Sequence, residues 1–162
     1  DKGVTWNYVT EIIRANPDKH HYYDEGYLYL SPDGTLTCLF RCYDEGGLME
    51  YCNSRDGGLT WSESVMTTIW GFPQTITPIS GSRAFLTYGY RKKPHGVRAK
   101  ILKDDLSDLD EAPEIVIYDG GNDVDIGYPS GLELKNGNLL VTYYCIDLPG
   151  DTRVIKCAIL GK

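Results

Sequence analysis

The chain has 162 residues, 41% of them apolar, and a formal net charge of −7. That is one domain's worth of chain with enough apolar content for a sizeable core, and its acidity excludes nucleic acid and anionic membrane surfaces as main partners. No apolar run approaches the roughly 20 residues of a membrane-spanning helix, and 13 Tyr with 18 Gly, without sustained helical periodicity, describe an all-β protein of short strands and tight turns.

In chain order, Asp1-Lys2-Gly3-Val4-Thr5-Trp6 reads as a turn and Asn7 to Ala15 as a strand. Three similar units follow, Glu25 to Arg41, Pro73 to Arg91 and Tyr128 to Cys145, each a short strand, a turn with Gly (Gly34, Gly81, Gly137) and a strand rich in Leu, Val, Thr, Tyr or Phe. Asp33-Gly34 and Asn136-Gly137 are strong hairpin signals, and the three glycines recur about every 50 residues, as repeats of one supersecondary unit do. In the first unit the turn Asp44-Glu45-Gly46-Gly47 leads to a third strand (Leu48 to Cys52), a second turn (Ser54 to Trp61) and a fourth strand (Ser64 to Trp70). In the second unit the third and fourth strands are Val97 to Lys103 and Pro113 to Tyr118, and in the third only Arg153 to Leu160 remains. The expected division is 1–15, a strand from or closing a neighbouring blade, then blades at 22–70 and 71–119 and an incomplete blade at 125–162. The five cysteines (Cys38, Cys42, Cys52, Cys145 and Cys157) lie in strand-like runs and follow no zinc spacing. They read as buried free thiols and point to a reducing compartment.

The turn Ser54-Arg55-Asp56-Gly57-Gly58-Leu59-Thr60-Trp61 is the most specific stretch. Asp56 can accept hydrogen bonds from the backbone N–H groups after it, the glycines reach backbone angles closed to other residues, and Trp61 can cover the turn. This octapeptide resembles the Asp-box repeated around the β-propellers of sialidases, and the first six residues are a second copy lacking the leading Ser. A chain opening inside a motif is expected to be the downstream part of a longer protein.

The resemblance extends to His21-Tyr22-Tyr23-Asp24-Glu25 with Leu39-Phe40-Arg41, to Tyr88-Gly89-Tyr90-Arg91 with Gly96-Val97-Arg98-Ala99, and to Asp125-Ile126-Gly127-Tyr128-Pro129-Ser130. These are similar to the sialidase segments that carry a Glu, two arginines and a Tyr in this order, most of all in bacterial sialidase-like proteins. The resemblance implies antiparallel four-stranded blades, about three of them present, of a six-bladed β-propeller. It also implies removal of terminal sialic acid, or a related acidic sugar, from glycoconjugates, with Tyr128 as nucleophile, Glu25 as its base and Arg41 and Arg98 gripping the sugar carboxylate. Arg98 opens a strand and is preferred to Arg91, which would help from the rim.

The chemistry behind that assignment is coherent. Guanidinium groups bind a carboxylate through paired, charge-assisted hydrogen bonds, a carboxylate nucleophile would be repelled by an anionic sugar, and sialidases use Tyr instead. A free phenol ionises near pH 10 and needs a neighbouring base to attack at neutral pH. No metal or other cofactor is required. The family's first arginine and its Asp acid/base have no matching residue here, so the chain alone is expected not to turn over substrate. It should be completed by the missing half of a propeller or by a homodimer mate. Alternatives are a non-catalytic carbohydrate-binding propeller, a structural Asp-box propeller whose Arg41, Arg98 and Tyr128 do not converge, and a hydrolase or lyase for another acidic sugar.

Overall fold

The protein is described by a computed structural model over residues 1–16, 18, 22–43, 46–147 and 152–161; His21 and the predicted turn residues Asp44 and Glu45 lie outside this range. Eleven strands follow in chain order: β1 (Tyr23–Leu30), β2 (Leu36–Cys42), β3 (Leu48–Ser54), β4 (Val65–Trp70), β5 (Gln74–Ile79), β6 (Arg83–Tyr90), β7 (His95–Lys103), β8 (Ile115–Gly121), β9 (Gly127–Glu133), β10 (Leu139–Asp147) and β11 (Thr152–Leu160). They form three antiparallel sheets in sequence order, β1-β2-β3-β4, β5-β6-β7-β8 and β9-β10-β11. Each first pair is a hairpin, as Asp33-Gly34 and Asn136-Gly137 require, with Gly34 and Gly137 at φ 88° and 82°.

The sheets stack face to face. Tyr29, Leu39, Met49 and Ile69 of the first sheet meet Ile76, Ala84, Leu86, Tyr88 and Leu102 of the second. On its other face the second sheet offers Phe85, Val97 and Ala99 to Val141, Tyr143 and Cys145 of the third. Successive side chains of a strand point to opposite faces, so β6, covered on both, is buried from Ala84 to Gly89 and carries the continuous apolar run of a two-sided strand. The first strand of each sheet lies innermost, with β5 against both β1 and β9. β5 and β9 are stitched side by side, the Thr75 hydroxyl donating to the Pro129 carbonyl at 3.0 Å and Thr77 to Gly131 at 2.8 Å.

The turns at Asp1 and Asp56 share a core of hydrogen bonds, from the third- and fourth-following N–H groups and the Thr hydroxyl to the Asp and from the Trp indole to a Gly carbonyl. Asp56 accepts from the Leu59 and Thr60 N–H groups at 3.0 Å and from the Thr60 hydroxyl at 2.6 Å, while Trp61 Nε1 donates to the Gly58 carbonyl at 3.2 Å. Asp1 accepts from the N–H groups of Gly3, Val4 and Thr5 and from the Thr5 hydroxyl, and Trp6 Nε1 donates to Gly3. The corresponding turn of the second sheet has no such box. There Leu106, Leu109 and Ala112 plug the core between the first two sheets, held by Lys100 Nζ donating to the carbonyls of Leu109 and Asp110.

Two sequence expectations differ from what is seen. Residues 7–15 pair with no strand; a strand needs a hydrogen-bonding neighbour, and here the segment instead lays Ile12 and Ile13 against Cys38, Phe40 and Cys52 on the outer face of the first sheet. The five cysteines are thiols rather than disulfides, but Cys157 is exposed, because the outward residues Ile155, Cys157 and Ile159 of β11 face solvent.

Candidate functional site

β1, β5 and β9 begin at the same end of the stack, opposite the intact Asp-box, and the chemistry-bearing side chains gather there. Glu25 and Tyr128 each sit in an irregularity of a first strand. The β1–β2 register shifts between Asp24 and Tyr27, and the β9–β10 register shifts opposite Gly127–Ser130. Such bulges re-aim a side chain out of the pleat. Both residues also have left-handed backbones, φ 53° for Glu25 and 47° for Tyr128, a conformation that non-glycine residues avoid. The outcome is a contact across 103 positions of sequence: the Tyr128 hydroxyl donates to Glu25 Oε1 at 3.2 Å.

Arg41, at the end of β2, faces the other carboxylate oxygen, with Nη1 3.6 Å from Glu25 Oε2. Its guanidinium lies between two rings, 4.0 Å from the centre of Tyr43 and 3.5 Å from that of Phe72. This sandwich fixes the plane of the group while leaving its edge for a ligand. Gln74, first residue of β5, donates from Nε2 to the carbonyls of both Glu25 and Leu39 at 2.9 Å. Among the described residues, Glu25 Oε2, Arg41 Nε and Gln74 Oε1 are buried without a hydrogen-bond partner. Three such atoms in one corner are unusual, because a buried polar atom without a hydrogen bond carries a desolvation cost, offset at Glu25 Oε2 by the facing Arg41 charge. Glu25 also lines an open groove of about 300 Å³ on the outer side of the first sheet, with Ile12, Ile13, Tyr23, Asp24, Gly26, Cys38 and Phe40; Arg41, Gln74 and Tyr128 are not among its lining.

The two later arginines part company. Arg91 donates from Nε to the Ile126 carbonyl at 3.2 Å and lies 5.3 Å from the Phe72 ring that Arg41 also covers. Arg98 is buried on β7 and fully engaged. It donates to the Tyr118 carbonyl at 2.7 Å and to Asp119 at 3.0 Å, and its Nε lies 3.5 Å from Glu114. A ladder of aromatic rings, Tyr90, Trp70 and Phe72, separates it from Arg41. The structure thus brings together Glu25, Arg41 and Tyr128, sets Arg91 at their edge, and commits Arg98 to joining β7 to β8.

Sequence reasoning did not single out the residues that hold these groups. Phe72 and Tyr43 lie in connections, and Gln74 is the first residue of its strand; no periodicity marks any of them. A second cluster adjoins Tyr128. The Tyr144 ring packs at 5.9 Å with a 31° tilt, its hydroxyl donates to Asp125 Oδ1, and Arg153 Nη2 grips Asp125 Oδ2 at 2.7 Å. Burial and the facing Asp125 carboxylate push the Tyr144 phenol up to about 12, while the hydrogen bond from Tyr144 and the charge and hydrogen bond of Arg153 hold Asp125 below its usual value. Among the described residues no group of three or more His, Cys, Asp or Glu is arranged to hold a metal ion.

No protein-family model matches the chain, and no curated protein does. Solved structures do. A protein of unknown function from Dyadobacter fermentans superposes with a TM-score of 0.89 at 34% identity, over 98% of this chain and 43% of that one. An endo-arabinase from Bacteroides thetaiotaomicron gives a TM-score of 0.58 at 14% identity, covering 86% of this chain and 57% of that one. An endo-1,4-β-xylanase from the same organism gives 0.57 at 12%, covering 94% and 61%. The chain therefore spans less than two thirds of each of these proteins. At such identities the last two likenesses are of fold, and they agree with the all-β class of antiparallel, propeller-type blades expected from the sequence.

Proposed function

We propose that the chain carries part of the active site of a sialidase-like glycoside hydrolase that removes a terminal acidic sugar, sialic acid, from glycoconjugates. The observation that carries this reading is the hydrogen bond between Tyr128 and Glu25, donated from one blade to another at 3.2 Å, with Arg41 on the far side of the same carboxylate. In the reaction the Tyr128 oxygen attacks the anomeric carbon as the glycosidic bond breaks, and its proton passes to Glu25. Water then displaces the phenol from the tyrosyl-sugar intermediate, with overall retention. Arg41, with Arg91 in the place first assigned to Arg98, meets the sugar carboxylate. Its aromatic sandwich limits the freedom lost when the ligand binds. The leaving group's proton donor and a further arginine would come from other blades, on a longer chain or on a second copy. Sialic acid in particular, the Tyr–Glu chemistry and the site residues rest on the sequence resemblance together with this geometry.

A sialosyl fluoride bearing a second fluorine beside the anomeric centre tests the reading directly, because fluoride leaves without a proton donor. Incubation followed by peptide mass spectrometry is expected to find the sugar on Tyr128. Tyr128→Phe abolishes the adduct, and Glu25→Gln slows its formation by about 10²–10⁴-fold, the range for loss of a general base. Saturable binding of the free sugar without any adduct on Tyr128 would instead make this a carbohydrate-binding propeller.

A further inference from the structure

We propose that Tyr144, Asp125 and Arg153 form a positioning unit that holds the Tyr128 ring against Glu25 and decides which of two adjacent phenols reacts; this rests on the reading of Tyr128 as nucleophile. Tyr128 is 59% exposed and stands on a bulge, so its side chain has little packing of its own to fix its rotamer. The neighbour that does so is Tyr144, directly beyond the register shift on β10, with its ring centre 5.9 Å away and tilted by 31°. Tyr144 is fixed in turn at its far end by the hydroxyl's bond to Asp125, and Asp125 is clamped by Arg153 at 2.9 Å from Nε and 2.7 Å from Nη2. The backbone N–H of Asp125 also donates to Asp123 Oδ1 at 2.8 Å, closing the turn that leads into β9. The unit thus draws on the approach to β9, on β10 and on β11, and a shift in any of them is transmitted to Tyr128.

The same contacts separate the roles of the two phenols. The groups acting on Tyr144 are Asp125, Arg91 and Tyr128. The carboxylate accepts its proton in a hydrogen bond and, already occupied by Arg153, has no reason to take it. Tyr128 faces Glu25, whose second oxygen is directed to Arg41. The Tyr144 hydroxyl is thus committed to Asp125, whereas the Tyr128 hydroxyl is directed to Glu25.

Two measurements on the whole chain test this. The first needs no substrate: nitration with tetranitromethane at pH 8, mapped by peptide mass spectrometry, reports tyrosine reactivity site by site. Tyr128 is expected to be modified and Tyr144 protected, and Asp125→Asn should raise Tyr144 modification at least about threefold while circular dichroism is unchanged. Equal modification of both rings in the unsubstituted chain, or no rise at Tyr144 in Asp125→Asn, overturns the proposal. The second measures trapping by the sialosyl fluoride. Tyr144→Phe keeps the ring and is expected to lower the first-order trapping constant about 10-fold with the half-saturation concentration within about twofold, as small misplacement of a reacting group does. Tyr144→Ala lowers it further. A change confined to half-saturation would mean that the unit only binds sugar, and would overturn the positioning role. If the unsubstituted chain forms no adduct on Tyr128, the nucleophile assignment falls, while the nitration pattern still decides whether Asp125 sets the difference between the two phenols.

Discussion

Glu25 and Tyr128 are two residues whose side chains meet only because their backbones take up an unfavourable conformation. Left-handed φ at a non-glycine residue costs about 1–3 kcal/mol, and here both partners of one hydrogen bond adopt it. The surroundings that enforce it include a close approach of two glycines. A Cβ on Gly89 would come within 2.7 Å of the Phe72 carbonyl oxygen and 3.0 Å of Gly127 Cα, so the backbone leading into Tyr128 rests against bare main chain. Gly89→Ala is therefore expected to lower stability in urea unfolding by about 1–3 kcal/mol, as overpacking does, and to prevent adduct formation on Tyr128. Gly26→Ala, where the new methyl would sit 3.6 Å from Cys38 Sγ, should leave the unfolding midpoint nearly unchanged. Retention of the adduct in Gly89→Ala would show that this contact does not set the nucleophile. At this scale the sequence offered Tyr128, Glu25 and Arg41 by their chemistry, and these three side chains lie together in the fold. It was silent where a residue serves by position: Phe72 and Tyr43 hold Arg41 through ring faces, and neither lies in a pattern that distinguishes it from a core aromatic.

Among the elements, the turn Ser54 to Trp61 carries the bonds expected of Asp56, which accepts from the backbone N–H groups of Leu59 and Thr60 after it. Its carboxylate makes a testable contribution. Hydrogen bonds from Thr60, its hydroxyl first and its N–H second, together with Ser54, lower Asp56 to about 2. A folded value below the unfolded one, about 3.9, means that the stabilisation is complete above pH 4 and is lost as pH falls towards 2. The stability difference between the unsubstituted chain and Asp56→Asn, followed by thermal unfolding, is expected to be largest near pH 5 and to shrink steadily towards pH 2. A difference independent of pH would mean that the carboxylate charge contributes nothing. Arg98 teaches the opposite lesson. Its position at the start of a strand-like run promised a fixed side chain, and it is fixed, but by Asp119, Glu114 and the Tyr118 carbonyl. These partners belong to β8 and its approach, and antiparallel register with a neighbour is not visible in one strand's sequence. Residues 7–15 likewise have a strand's composition without a strand's neighbour.

For the whole molecule, stacking accounts for burial in the middle and exposure at the ends. The second sheet is covered on both faces, whereas the outer face of the third shows Leu132, Ile155 and Ile159 at 56%, 79% and 61% exposure, and that of the first shows Leu28 and Leu30 at 55% and 61%. Apolar faces of this kind, with β11 the outermost strand of its sheet among the described residues, favour association. Sedimentation of the chain at tens of micromolar is expected to show concentration-dependent mass, and Ile155→Lys with Ile159→Lys should return it to the monomer; a monomer in both cases would sink this expectation. The repeat that generated the three sheets was plain in the recurring hairpin glycines. Which faces would be left uncovered was not, because it depends on how many sheets stack.

Two consecutive residues of β5 touch the frame of both Glu25 and Tyr128. Gln74 holds the Glu25 carbonyl and Thr75 holds the Pro129 carbonyl, next to Tyr128. The middle sheet, which supplies neither Glu25 nor Tyr128, thus acts as a gauge block, and the gap between them is measured against one residue step of a doubly covered strand, about 3.3 Å. Outer strands and connecting loops can fray or diverge in sequence without altering that interval. A one-residue slip of β5 would change it at once, so in descendants of this protein the spacing should outlast the surface around it.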